Sequence, residues 1–224
     1  MPPSSKRKAA APPSPSRAKS SSDPRSAKAK TKEREQIALF NRYANDGVID
    51  PDGIMALCKD LKMEHTDVRI LMFAWKLKAA KQGYFTLDEW QNGLETLQVD
   101  TFCSLKKAVS ELEKGVIKEP SQFADFHAFA YRYHLTEERQ KFIDIETTCE
   151  LLNVVLRSQF SHQVDSFIEY LKVQTDYQVI SLDQWENFLR FCQEVSFPDV
   201  ENYDETLAWP VILDSFVEWL REKQ

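Results

Sequence analysis

From Glu33 to the C-terminus, apolar residues recur three and four positions apart in one segment after another. That is the period of a helix with one buried face. The same stretch holds only five glycines and four prolines, so little interrupts the helical pattern. The body therefore reads as all-α, a bundle of about ten helices. The spacing predicts helices over about 33–44, 51–62, 66–81, 87–96, 101–115, 120–134, 145–158, 162–174, 182–194 and 210–222.

Several predicted starts carry their own chemistry. Asp50 followed by Pro51 offers a side-chain cap and a ring suited to the first helical position. Thr86 with Glu89, and Ser181 with Gln184, have capping-box spacing, in which the hydroxyl and the third-position side chain satisfy each other's free amides. These caps belong to an internal resemblance. YFTLDEWQNGL at 84–94 and VISLDQWENFL at 179–189 share two apolar residues, a cap, Leu-Asp, an acid or amide, and Trp; VIDPDGI at 48–54 opens a helix in the same way. The expected architecture is two halves, each built from EF-hand-like helix pairs joined by a short extended link.

EF-hand shape raises calcium, which needs oxygen ligands at fixed loop positions. Placing Gly83 at loop position 6 puts Lys78, Ala80 and Gln82 at positions 1, 3 and 5, and only Glu89, at position 12, fits. In the later unit the corresponding positions fall on Val173, Thr175 and Tyr177. The segment 45–53 is richer in acids but ends in Gly53 where a bidentate Glu is needed. The helix pairs are thus expected to lack calcium ligands.

Residues 1–32 differ from the rest. They hold six of the ten prolines, eight serines and no Val, Ile, Leu or aromatic residue, so they cannot bury enough surface to offset the entropy of ordering. A disordered tail over 1–32 and a folded domain over 33–224 are expected. The tail carries nine Lys or Arg against Asp23 alone, net +8, which leaves about −14 on the body of a chain whose total is −6. An acidic body suits a basic partner and argues against nucleic acid as the main ligand. Lys6, Arg7 and Lys8 form a short basic cluster of the kind read by nuclear import, so a nuclear protein, present also in the cytoplasm, is expected. No apolar run approaches the roughly 20 residues that cross a bilayer, and the N-terminus lacks the apolar segment of a signal peptide, so no membrane association is expected.

Catalytic signals are missing. Cys58, Cys103, Cys149 and Cys192 are at least 40 residues apart, and His65, His127, His134 and His162 are not spaced for a zinc site on one helix face. There is no phosphate-binding glycine loop and no GxSxG turn. A non-enzymatic protein without cofactor or metal is expected.

The most specific strings are ENYDETLAWPVILDSFVEWL at 201–220 and FAWKLKAAKQGYF at 73–85. With them the chain, over about 36–222, resembles the potentiating-neddylation domain of the defective-in-cullin-neddylation family, without a ubiquitin-associated domain. The resemblance implies a scaffold-type accessory ligase that holds a cullin with one surface and the N-acetylated tail of a neddylation conjugating enzyme with another, and whose surroundings include the cullin-bound RING protein. It further implies that Asp183, Ala208 and Asp214 bind the cullin's C-terminal winged-helix region. It places an acetyl-methionine pocket between the helix pairs of the N-terminal half, lined by Ile54, Cys58, Ile70, Phe73, Ala74, Leu77, Gln82, Phe85, Tyr133, Leu151 and Val154. On the last helix Ile212, Leu213, Phe216, Val217 and Leu220 make an apolar stripe, which turns Asp214, Glu218 and Arg221 to the wetter face. The competing reading is a generic nuclear adaptor whose acidic body holds a basic protein.

Overall fold

The computed structural model describes residues 24–223, with side chains from residue 30 onward. The basic cluster Lys6, Arg7 and Lys8 lies outside the described residues. Ten helices are present among them: α1 (Pro24–Asn41), α2 (Pro51–Leu61), α3 (Val68–Leu77), α4 (Leu87–Thr96), α5 (Phe102–Lys118), α6 (Pro120–Tyr133), α7 (Ile145–Val155), α8 (Arg157–Val173), α9 (Leu182–Glu194) and α10 (Val211–Lys223). Four short strands, β1 (Val48–Ile49), β2 (Phe85–Thr86), β3 (Phe142–Asp144) and β4 (Val179–Ser181), pair antiparallel as β1 with β2 and β3 with β4. The fold is an all-α bundle.

The internal resemblance in the sequence becomes a repeat in space. Each half runs helix, strand, helix, helix, strand, helix: α1 to α4 first, α6 to α9 second, with α5 between them and α10 packed on α8 and α9. Within each ladder one residue from each strand points inward, Ile49 with Phe85 and Ile143 with Ile180, and all four are buried. Both capping boxes form, at Thr86/Glu89 and at Ser181/Gln184. Four residues beyond each cap stands a fully buried Trp whose ring N–H donates to a carbonyl of the first helix of its half. Trp90 reaches Gln36 O at 3.2 Å and Trp185 reaches His127 O at 2.9 Å. The β3 unit, capped by Asp144 accepting from Thr147 N at 2.8 Å, is a fourth such opening that the sequence comparison did not single out.

Some boundaries differ from expectation for local reasons. α1 begins at Pro24, inside the segment expected as tail. Proline costs nothing in a first turn, where its missing N–H has no partner to lose, and the Ala- and Lys-rich residues that follow favour helix. Lys32 ties α1 to Asp100 at 2.9 Å. α3 is shorter than expected because Lys78 turns left-handed (φ 54°) and sends its N–H back to Ala74 O and Trp75 O; without a glycine there, nothing in the sequence marks the stop. The helix after α7 starts earlier than expected, at Arg157, and breaks at Phe160 (φ −130°, ψ 46°).

Within the first half, α3 and α4 approach closely at Gly93. A Cβ on Gly93 would lie 2.8 Å from the Cα of Leu77 and 2.1 Å from its Cδ2. Because the nearest obstacle includes backbone, α3 and α4 must separate to admit a methyl. Gly93→Ala is expected to destabilise the fold by about 1–3 kcal/mol, seen as a lower urea midpoint with an unchanged slope.

Candidate functional site

Two surfaces collect the residues singled out from the sequence. The first is a cavity of about 260 Å³. One wall comes from the first half: Ile54 on α2, the His65–Asp67 link, Ile70, Leu71 and Ala74 on α3, and Gln82, Gly83 and Phe85 around β2. The opposite wall is Tyr133 and His134 at the end of α6 and Thr147, Glu150, Leu151 and Val154 on α7. The cavity therefore lies between the two halves and not within the N-terminal one, because α7 closes it.

Eight of the eleven expected lining residues are there: Ile54, Ile70, Ala74, Gln82, Phe85, Tyr133, Leu151 and Val154. Cys58, Phe73 and Leu77 are not in the lining but are buried in the core. On α3, Ile70 and Ala74 form one stripe and Phe73 and Leu77 the next, about 60° away. The second stripe is committed elsewhere: Phe73 meets Phe85 and Trp90 edge-on at 6.0 and 5.8 Å, and Leu77 lies against Gly93. Periodicity marks both stripes as apolar and cannot tell them apart.

Polar groups around the cavity are held in place. Tyr133 accepts from Gly83 N at 3.2 Å, and burial pushes its phenol up to about 12. Gly83 sits at φ +78°, where a side chain would be strained. Asp67 caps α3 and is gripped by Arg69, whose hydrogen bonds hold the carboxyl below its usual range. Burial lowers the pKa of His134, whose Nδ1 lies 2.8 Å from Ala130 O. The side chain at the twelfth loop position is engaged too: Glu89 accepts from Ala80 N at 2.8 Å, and from Thr86 N and Oγ1 at 2.8 and 2.9 Å. Its carboxylate thereby bridges the link that a cation bridges in a calcium loop.

The second region is formed by α9, the 195–210 segment and α10, which carry Asp183, Ala208 and Asp214 in turn. Asp183 is exposed in the first turn of α9 and accepts from Asn187 Nδ2 at 3.1 Å. Asp183, Asn187 and Arg190 stand at i, i+4 and i+7, one face of the helix. Arg190 lays its guanidinium 4.2 Å over the Trp209 ring while its Nε donates to Glu194 at 2.9 Å. Trp209 stacks on Tyr203 at 5.4 Å, and Tyr203 donates to Asp214 Oδ1 at 2.6 Å. A continuous set of contacts thus joins α9 to exposed Ala208 and half-buried Asp214. The Tyr203 phenol is driven well above its ordinary pKa, mainly by burial and then by the Asp214 carboxylate, so it stays a donor that fixes Asp214. The sequence did not point to Arg190 or Tyr203; their role depends on the fold of the 195–210 segment.

Neither surface carries an obvious nucleophile. Cys58, Cys149 and Cys192 are buried free thiols and Cys103 is exposed. Burial raises the pKa of all three buried thiols, Cys58 to about 11, the opposite of an activated cysteine. No helix among the described residues is long and apolar enough to cross a membrane.

Comparison with known proteins agrees with the strings that stood out in the sequence. Residues 104–219 match the family model described as cullin binding. The chain is 36% identical to human DCN1-like protein 4 over 205 residues, covering 89% of this chain and 68% of that protein. It is 35% identical to human DCN1-like protein 5 over 189 residues, 84% and 78% of the two chains. With Dictyostelium discoideum DCN1-like protein 2 it shares 32% identity over 187 residues, 83% and 68%. Over a matched segment that includes Asp183, Ala208 and Asp214, and on these identities, the chain belongs to the cullin-binding family of DCN1-like, defective-in-cullin-neddylation proteins.

Proposed function

We propose that this protein is a non-catalytic scaffold that promotes transfer of a ubiquitin-like modifier onto a cullin. It binds the cullin C-terminal winged-helix region through Asp183, Ala208 and Asp214, and the N-acetylated tail of the neddylation conjugating enzyme in the cavity between the halves. The observation that carries the reading is the match of residues 104–219 to the cullin-binding family, a segment in which all three patch residues reach solvent. The cavity supports the second contact, since its apolar walls suit a methionine side chain and Gln82 and Tyr133 offer polar groups for an amide. An acetylated terminus enters without burying a charge, whereas a free amine would have to shed its hydration.

Holding both partners turns a chance encounter into a nearly intramolecular step and orients the thioester, which raises the rate without any reacting group from this chain. The cysteine that carries the modifier belongs to the conjugating enzyme, and the cullin-bound RING protein completes the assembly. The cluster at Lys6, Arg7 and Lys8 serves nuclear import in this reading.

The test measures binding to a purified cullin C-terminal region together with the rate of cullin modification. Combined in one chain, Asp183→Ala, Ala208→Arg and Asp214→Ala are expected to weaken binding and slow modification at least tenfold while the protein keeps its native helical circular-dichroism spectrum. Ala74→Trp, which fills the cavity, is expected to slow modification while cullin binding persists. Undiminished binding and rate in the patch variant would sink this reading in favour of a nuclear adaptor whose acidic body holds a basic protein.

A further inference from the structure

Two large apolar side chains bracket Ala208 in solvent. Leu207 is 46% exposed, and Val211, at 67%, is the most exposed large apolar side chain among the described residues. Backbone geometry puts them there. Trp209 N donates to Leu207 O at 2.8 Å, a tight turn that drives Trp209 into the core and leaves Leu207 outside. Pro210 follows, and Val211 opens α10 one turn before Asp214, so Val211 and Asp214 share a helix face. Ala208, exposed and carrying only a methyl, follows Leu207 directly and precedes Val211 by three residues.

An isolated exposed Leu or Val needs no explanation. Here, however, two flank the residue at the centre of the proposed cullin-binding surface, on a body of net charge about −14 outside the basic first 32 residues. Solvent-exposed carboxylates attract a basic partner and orient it, but in water such pairs are screened and add little affinity. Apolar contacts that exclude water around them supply that affinity.

We propose that Leu207 and Val211 are the apolar anchors of this patch, packing against an apolar cluster set within the basic face of the cullin C-terminal region, while Asp183 and Asp214 set its orientation. The proposal rests on the cullin-binding reading above and continues the same surface. It divides the labour: the apolar pair governs how long the complex lasts, and the carboxylates govern its salt dependence.

The experiment is calorimetric titration of the full chain with a purified cullin C-terminal region at low and physiological salt. Leu207→Ser with Val211→Ser is expected to weaken binding at least tenfold at both salts, keeping the native salt dependence and thermal midpoint. Leu207→Met with Val211→Ile should bind like the native protein. Asp183→Ala and Asp214→Ala should instead flatten the salt dependence. If the double Ser variant binds as well as the native chain while the Asp variants lose binding, the anchors are refuted and the cullin reading stands. If none of these variants nor Ala208→Arg alters binding, the cullin reading itself falls and the anchors with it.

Discussion

Trp185→Ala is expected to cost about 3–5 kcal/mol of folding stability, the range for deleting a large buried aromatic, and so a large share of what a single domain of this size commands. Trp185 is 2% exposed at the centre of the second half. Its ring stacks on His127 with centroids 4.4 Å apart and planes 10° from parallel, and Tyr131 lies 6.1 Å away. Its Nε1 donates to His127 O at 2.9 Å, so the ring ties α9 to α6 as well as filling space. Because α9 also presents Asp183 and Arg190, loosening it disturbs the patch from below. Urea denaturation should give a much lower midpoint at an unchanged slope, and a loss under about 1 kcal/mol would mean that the α6–α9 contact is held by other residues.

The stability of the folded domain is expected to fall as the pH drops below about 6.5, and His127→Phe should remove most of that dependence. His127 is fully buried, and neither ring nitrogen has a protein hydrogen-bond partner among the described residues. Burial alone drives its pKa down to about 3, because the imidazolium would lose its hydration. An unfolded histidine titrates near 6.5, so above that pH both states are neutral and the full stability is present. Between about 6.5 and 3 the unfolded chain takes up a proton that the native one refuses. Stability then falls by about 1.4 kcal/mol per pH unit, roughly 2 kcal/mol between pH 6.5 and 5. Burial lowers the pKa of His134 as well and makes stability fall in the same direction, an effect common to the native chain and His127→Phe that their comparison cancels. Phenylalanine keeps a flat ring on Trp185 and removes two nitrogens that have no partner among the described residues. Denaturation midpoints at pH 7 and pH 5 check this, and a variant as pH-sensitive as the native chain would show that His127 titrates with water access after all.

The caps and the repeat are legible in the sequence. Asp50, Thr86 and Ser181 cap their helices as their spacing required, and the matching Trp90 and Trp185 occupy equivalent places, because capping and helical period are local rules that act over four residues. The cavity was only partly legible. Ile70 and Ala74 line it while Phe73 and Leu77 do not, since two adjacent apolar stripes look the same in sequence and the neighbours across each one decide which is wall and which is core. His65, Thr66 and Asp67 were missed because a polar link between helices gives no hint of what lies opposite it.

What the sequence determined by itself was the all-α class, most helix starts, the two-half organisation, and the family, whose most specific string surrounds Ala208 and Asp214. What only the tertiary structure decided was where α1 and α3 begin and end, that α7 closes the cavity between the halves, and that Arg190, Trp209 and Tyr203 connect α9, the helix that carries Asp183, to Asp214. Those contacts join residues up to tens of positions apart, and their existence depends on how whole helices pack, a property that no short window of sequence contains.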